Sequence, residues 1–350
     1  MTVNSISRTH ALSIRVVAAL MLLSASVLTP ALAQTHPGQD ALVREVARDT
    51  GKSPAALNAL LDGAQRKQSI LDAMGRPAEA KPWSDYRPIF LTDKRIDDGI
   101  AFYREHRALV EQIGRQYGVA PEYIVAIVGV ETFYGRITGK YKVLDALVTL
   151  GLYYPPRATF FRGELKTLLE LPDSHLGGPI ETLTGSYAGA EGWGQFMPSS
   201  IRDFAVDEDG DGHIDLKNSL PDILGSVANY FAKHGWVSGG EVALRAQPDA
   251  APKPIVVKDA QPQWPLEQLE AWGYAPLQPL RKSQPSGQEP LGPGQLISLQ
   301  TLQGENGPEY WFTFPNFYVI TRYNRSPLYA MAVDQLAKAI VAGVRADAGQ

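Results

Sequence analysis

Residues 121–135 read PEYIVAIVGVETFYG, and this stretch predicts a helix. Pro121 and Glu122 suit a first helical turn, and Gly135 suits the stop. Ile124, Ile127, Val128 and Glu131 recur at helical spacing, so a carboxylate shares the apolar stripe. Glu131 also lies one turn from the helix C-terminus, where the dipole disfavours negative charge. Desolvation and that dipole both raise a carboxyl pKa, as a general acid working near neutral pH requires. An amphipathic helix whose Glu snorkels outward or pairs with Arg136 fits the same pattern, and this stretch alone leaves both readings open.

Outward from this helix the chain stays helical. Residues 36–73 carry Leu42 and Val46, then Leu57, Leu60 and Leu61, with Ser53-Pro54 marking a helix start. Residues 78–92, with Pro82, Trp83, Tyr86, Pro88 and Phe90, read as an extended connector carrying aromatics. Residues 93–117 predict one long helix with Ile96, Ile100, Tyr103, Leu109, Val110 and Ile113 at its apolar positions. Gly118-Val119-Ala120-Pro121 then turns into the helix of Glu131. Two more helices are expected at 144–152 and 158–171, parted by Tyr153-Tyr154-Pro155-Pro156-Arg157.

Residues 185–195 read GSYAGAEGWGQ. The glycines let backbone approach a ligand closely, while Ser, Tyr, Trp and Gln offer hydrogen bonds and stacking faces. The loop lacks the lysine and spacing of a phosphate cradle, which argues against a nucleotide. A tight surface loop between helices is the alternative. After a helix at 198–204, residues 207–218 read DEDGDGHIDLKN. Asp207, Asp209 and Asp211 fall at positions 1, 3 and 5 of an EF-hand loop, with Gly212 at the sharp turn and His213 supplying a carbonyl at position 7. Three Asp this close repel unless neutralised, so the pattern suits a hard cation, preferably Ca2+, that staples the fold. The last position is Asn218 rather than a bidentate Glu, which removes a charge and an oxygen and points to moderate affinity.

A helix at 224–234 contains Asn229-Tyr230-Phe231, and the composition then changes at Ser238. From there to Pro315 the chain is rich in Pro, Gly and Gln, with β-like runs at 254–257, 296–302 and 310–314. This reads as a small β-containing insert on a helical body. Residues 317–323 lead to a closing helix at 328–342, with Ala332, Val333, Leu336 and Ile340 on its inner face.

The N-terminus has its own signature. Arg8 and Arg15 precede an apolar run from Val16 to Leu28 and the small-residue site Ala31-Leu32-Ala33. That is a secretory signal peptide, too short for a bilayer-spanning helix and without a Cys to accept lipid. An exported, periplasmic protein starting near Gln34, with no transmembrane anchor, is expected. The chain of 350 residues carries net charge −4; without residues 1–33 it holds 31 basic against 37 acidic side chains, near −6. This mild acidity argues against nucleic acid or an anionic membrane as partner. With no cysteine, disulfides and thiolate metal sites are excluded, and stability rests on core packing.

Together these stretches resemble a known family. VGVETFYGR, GSYAGAEGWGQFMPSS, DEDGDGHIDL, GSVANYFAKHGW and NFYVITRYNRSPLYAMAV stand in the order found in the lytic murein transglycosylase B family. The resemblance runs from about Ala80 to Ala342 and is weak from Ser238 to Gln303. It implies a mainly α (α+β) fold: a lysozyme-like helical catalytic domain, an additional helical domain and a small β-containing subdomain, with an EF-hand-like loop. On this chain the expected divisions are a signal peptide at 1–33, a catalytic body at 34–237, the insert at 238–315 and a segment at 316–350 completing the body.

The resemblance also implies cleavage of the β-1,4 bond between N-acetylmuramic acid and N-acetylglucosamine in peptidoglycan, leaving 1,6-anhydromuramic acid. Glu131 would be the single acid/base, with no catalytic cofactor. Ser186 and Gln195 match family positions that contact the sugars. Tyr86, Arg157, Phe160, Tyr230, Tyr323 and Tyr329 match positions lining the glycan groove. The family often has Tyr where this chain has Phe160 and Arg where it has Pro156, so a hydroxyl and a charge are missing. Peptidoglycan strands are the expected partner, with cell-wall synthesis proteins as further candidates. Two alternatives stand: a lysozyme-like hydrolase, which needs a base such as Asp145 or Glu191 opposite Glu131, and a calcium-stabilised binding scaffold without catalysis.

Overall fold

The computed structural model describes residues 35–75, 81–257, 259–278 and 294–348, so the leader read at 1–33 lies outside the described residues. Three short helices open the chain: α1 (Gln39–Thr50), α2 (Pro54–Asp62) and α3 (Gln68–Met74). Ser53 caps the second, its hydroxyl accepting the Ala56 N–H at 3.5 Å. Leu42, Val46, Leu57 and Leu61 are buried, as their period predicts.

The extended connector expected at 78–92 is instead largely a helix, α4 (Trp83–Phe90). Pro82 precedes its first turn, where no N–H is needed, and Pro88 falls near the end of a helix only eight residues long. Trp83 and Tyr86, three apart on one face, are both buried, and this packing outweighs the proline signals. The long helix expected at 93–117 is two, α5 (Asp93–Glu105) and α6 (Arg107–Tyr117), parted at His106 with φ −107° and ψ 19°. The break re-aims the apolar face. One half packs on the closing helix of the chain and the other on the helix that follows the acidic loop.

Both halves also touch α7 (Pro121–Thr132). Every residue from Tyr123 to Val130 is buried, so α7 is no amphipathic stripe but the central helix of the body. Its C-terminus closes through the Tyr134 N–H donating to Val128 O at 3.0 Å, a Schellman-type bond. Phe133, Tyr134 and Gly135 are then left-handed in succession (φ 54°, 57° and 80°).

Strand β1 (Tyr141–Lys142) leads into α8 (Val143–Tyr153) and, through a 3-10 turn at Pro155–Arg157, α9 (Ala158–Glu170). Strand β2 (Thr184–Gly185) pairs back on β1 at the start of the glycine-rich loop. Helices α10 (Pro198–Phe204) and α11 (Leu220–Lys233) flank the acidic loop.

The insert folds as β3 (Ala243–Pro248), β4 (Trp264–Pro265), α12 (Leu266–Ala271), β5 (Tyr274–Pro276), β6 (Leu296–Gly304) and β7 (Gly307–Thr313). These strands make one antiparallel sheet in the order β4-β6-β7-β3-β5. Residues 254–257, expected as a strand, join no ladder; prolines at 252 and 254 lack the N–H a ladder needs. One face of the sheet, with Ile297, Leu299 and Phe312, closes a small core with Leu269 of α12, while Leu302 and Ala243 belong to the main core.

Helices α13 (Pro315–Tyr323) and α14 (Pro327–Ala348) end the chain. Ala332, Val333, Leu336 and Ile340 of α14 are fully buried, as expected, and α14 packs along α7. Fully buried Asp334 ties three elements together. It accepts Tyr123 Oη at 2.8 Å and Lys338 Nζ at 3.0 Å, and that ammonium also donates to Ala243 O at 2.6 Å. No described helix is long and apolar enough to cross a membrane.

Candidate active site

Glu131 stands in the last turn of α7, and its partner comes from the far end of the chain. Tyr329, in the first turn of α14, donates its hydroxyl to Glu131 Oε1 at 2.6 Å. Burial pushes Glu131 up to about 7, while the Tyr329 hydroxyl, which favours the ionised form, pulls the other way. Burial and the nearby Glu131 charge hold both Tyr329 and Tyr323 well above the ordinary tyrosine value, so both phenols keep their protons. Arg136 does not pair with Glu131; it forms an ion pair with Asp98.

The glycine-rich loop is fastened beside the end of α7. Thr132 Oγ1 donates to Trp193 O at 2.9 Å, and Tyr323 Oη donates to Gly194 O at 2.6 Å. A Cβ on Gly135 would stand 2.1 Å from the Trp193 ring, so the indole packs directly on this glycine. Gln195, itself left-handed (φ 52°), donates Nε2 to Thr138 O and Gly192 O at 3.1 and 3.0 Å. Ser186 Oγ accepts the N–H groups of Ala188 and Ala190, so it shapes its own turn.

The expected groove residues fall into two groups. Tyr230 donates to Arg322 O at 2.7 Å and its ring lies 4.7 Å from that of Tyr323; Tyr86 on α4 is close enough to Tyr329 to raise its phenol. These tyrosines, with Tyr323 and Tyr329, gather around Glu131, and Tyr86, Tyr230 and Tyr329 are largely buried. Arg157 and Phe160 make a separate pair, the guanidinium 4.5 Å from the ring centroid, with Phe160 exposed.

The two candidate second carboxylates have surroundings of their own. Asp145 accepts the Gln65 N–H at 2.9 Å and faces Lys67 Nζ at 3.6 Å. Glu191 lines a cavity of about 140 Å3 with His175 and Asn218; burial pushes it up to about 7, and its Oε1 has no hydrogen-bond partner.

Carboxylate oxygens of Asp207, Asp209 and Asp211 converge within 4.8 Å of one another, all three exposed. Asp207 accepts the N–H groups of Gly210, Asp211 and Gly212, which hold it below the usual carboxylate range. Gly212 takes φ 90°, the turn a side chain would resist. This oxygen-only donor set fits a hard cation. His213 is exposed on the same loop, but Asn218 turns its amide onto Asp215 Oδ2 at 2.8 Å. Asp222, not singled out in the sequence, is buried and holds the loop by accepting the N–H groups of Glu208 and Asp215. Ser219, three residues before it, is the signal that could have marked it, as the first residue of a helix cap.

A family model described as the transglycosylase SLT domain matches residues 34–338. The chain belongs to this transglycosylase family. It is 41% identical over 315 residues to membrane-bound lytic murein transglycosylase B of Escherichia coli K12, covering 87% of this chain and 83% of that protein. Soluble lytic transglycosylase SltB1 of Pseudomonas aeruginosa superposes with TM-score 0.78 at 46% identity, over 89% of this chain and all of that one. Escherichia coli Slt35 in complex with calcium gives 0.77 at 40% identity, over 89% and 95%. Pseudomonas aeruginosa SltB3 in complex with NAG-NAM-pentapeptide gives 0.72 at 28% identity, over 87% and 78%. The chain is thus a lytic murein transglycosylase of lysozyme-like, mainly helical fold with a small antiparallel sheet. In this transglycosylase Thr132 and Trp193 are the unforeseen parts: both lie within the quoted motifs, but only folding shows that they lock together.

Proposed function

We propose that this transglycosylase cleaves the β-1,4 bond between N-acetylmuramic acid and N-acetylglucosamine and releases 1,6-anhydromuramic acid, with Glu131 as its single acid/base. The observation that carries this is the setting of Glu131: a carboxyl that burial pushes up to about 7 and that accepts the Tyr329 hydroxyl at 2.6 Å. Protonated Glu131 gives its proton to the glycosidic oxygen as the bond to C1 breaks. The substrate's 2-acetamido oxygen stabilises the cationic carbon. Ionised Glu131 then takes the proton of the C6 hydroxyl as that oxygen closes onto C1. No water enters, so no second carboxylate is needed, whereas a hydrolase requires one near the bond.

The flat tyrosines suit sugar faces, Arg157 suits a lactyl or peptide carboxylate, and the 186–195 loop offers hydrogen bonds to the sugars. A peptide-bearing glycan strand of the kind seen with SltB3 is the substrate class. Calcium at Asp207, Asp209 and Asp211, with the His213 carbonyl, serves the fold rather than the chemistry. Residues 1–33 act as an export signal to the periplasm, and residues 316–350 complete the catalytic body.

Mass spectrometry of fragments released from purified sacculi tests the reaction. Products about 18 Da lighter than reducing muropeptides are expected, the mass of the water not consumed. Reducing ends would make the protein a hydrolase instead.

A further inference from the structure

Between α4 and the β6–β7 hairpin lies a cleft of about 980 Å3, at the upper end of the size of ligand sites, about 300–1,000 Å3. Its floor is prebuilt. Arg245 and Glu309 neutralise each other at 2.5 Å, and between them they fix Trp311: the indole N–H donates to Glu309 Oε2 at 3.3 Å and the guanidinium lies 5.1 Å from the ring centroid. Among the described residues the other charges here, Arg87, Asp85 and Glu305, form no ion pair, and Asp85 accepts only the Ser84 hydroxyl at 3.3 Å. Arg87 uses only Nε among the described residues, on Gln335 Oε1 at 2.9 Å, while exposed Asp85 and Glu305 face the same space. One guanidinium with both terminal nitrogens unused, two carboxylates and an immobilised indole suit a zwitterionic chain. A polyanion would meet net negative charge here, and a bare sugar would use neither sign of charge.

The cleft shares α4 with Tyr86, one of the tyrosines around Glu131. Trp83 lines it and stacks on Tyr86 (6.4 Å, 29°), and Tyr86 acts on Tyr329, which holds Glu131. Trp83 and Tyr86 are three residues apart on α4, so the cleft begins within about one helical turn, roughly 5 Å along the axis, of the tyrosine that acts on Tyr329. An extended peptide of four or five residues reaches about 13–18 Å. We infer, resting on the peptidoglycan reading above, that this cleft holds the short peptide arm of the substrate. Its carboxylate meets Arg87, its free amine meets Asp85 or Glu305, and its backbone lies along Trp311.

The test has two readouts on the full chain. A synthetic pentapeptide with a free carboxylate terminus and one side-chain amine, carrying no sugar, is titrated into the Glu131→Gln protein and followed by tryptophan fluorescence. Saturable binding that Arg87→Glu weakens by about tenfold is expected, and Glu305→Lys, at the hairpin tip, should weaken it likewise. Separately, kcat/KM is compared on glycan strands with and without their peptides. The wild-type protein should favour peptide-bearing strands, and Arg87→Glu should remove that preference. No peptide binding, binding unaffected by both substitutions, or an equal loss on both kinds of strand overturns the inference. The titration needs no turnover, so a failure to form anhydro products would sink the proposed reaction while the peptide binding still decides the cleft.

Discussion

A carboxyl that gives a proton and then takes one back works best with a pKa near the working pH, and Glu131, at about 7, meets that condition. The acid role proposed for it requires the protonated form, so kcat/KM should fall as pH climbs through 7; a rate still rising at alkaline pH would contradict the assignment. Tyr329→Phe removes the hydroxyl that favours ionisation, so the fall should move to higher pH while the rate below it drops about tenfold. Glu131→Gln should abolish turnover and yet stabilise the fold. Its folded pKa lies above the ordinary carboxylate value, so between about pH 4.3 and 7 the native chain holds the extra proton and stability declines as pH rises. At pH 8 that penalty is fully present, of order 3–4 kcal/mol, and Gln does not carry it. Melting curves at pH 8 and pH 4 check this: the variant's advantage should appear at the first and vanish at the second.

At the scale of elements, the C-terminus of α7 is where fold and chemistry meet. Gly135→Ala would push a methyl into the Trp193 ring at a left-handed position, and a loss of about 2–4 kcal/mol in denaturant unfolding is expected. A neutral result would mean that the indole is free to move away. Much of this level was legible beforehand, because α7, α8, α9 and α14 declare themselves through their apolar runs, α7 also through Pro121 at its start, and Glu131 stood out as an acid in an apolar run. What was not legible depended on partners distant in sequence. Pro82 and Pro88 argued against α4 until Trp83 and Tyr86 found a core to enter, and nothing near His106 announces that α5 and α6 serve different neighbours. The all-round burial of α7 needed four surrounding helices to become visible. Tyr329 could be matched to a family position, but its bond to Glu131 spans 198 residues and no local pattern encodes it.

Across the whole molecule, three exposed aspartates in one loop are a standing repulsion that a cation would relieve. Calcium in excess of its Kd should raise Tm by several degrees through mass action on the native state, about 2.7 kcal/mol at one hundred times Kd. Asp207→Ala should cancel the effect, and identical melting in calcium and in EDTA would remove the loop from the stability of the protein. The sheet, α14 and α7 are joined through Asp334, so the insert is anchored to the same helix that bears the acid. The Glu131–Tyr329 bond has one further consequence. A growing chain leaves the ribosome with its acid made long before the residue that completes it. Until α14 is synthesised and docked, α7 has no groove wall and Glu131 lacks its phenol. On the role proposed for Glu131, a chain that ends before α14 lacks the hydroxyl that holds the acid and should not cut the glycan.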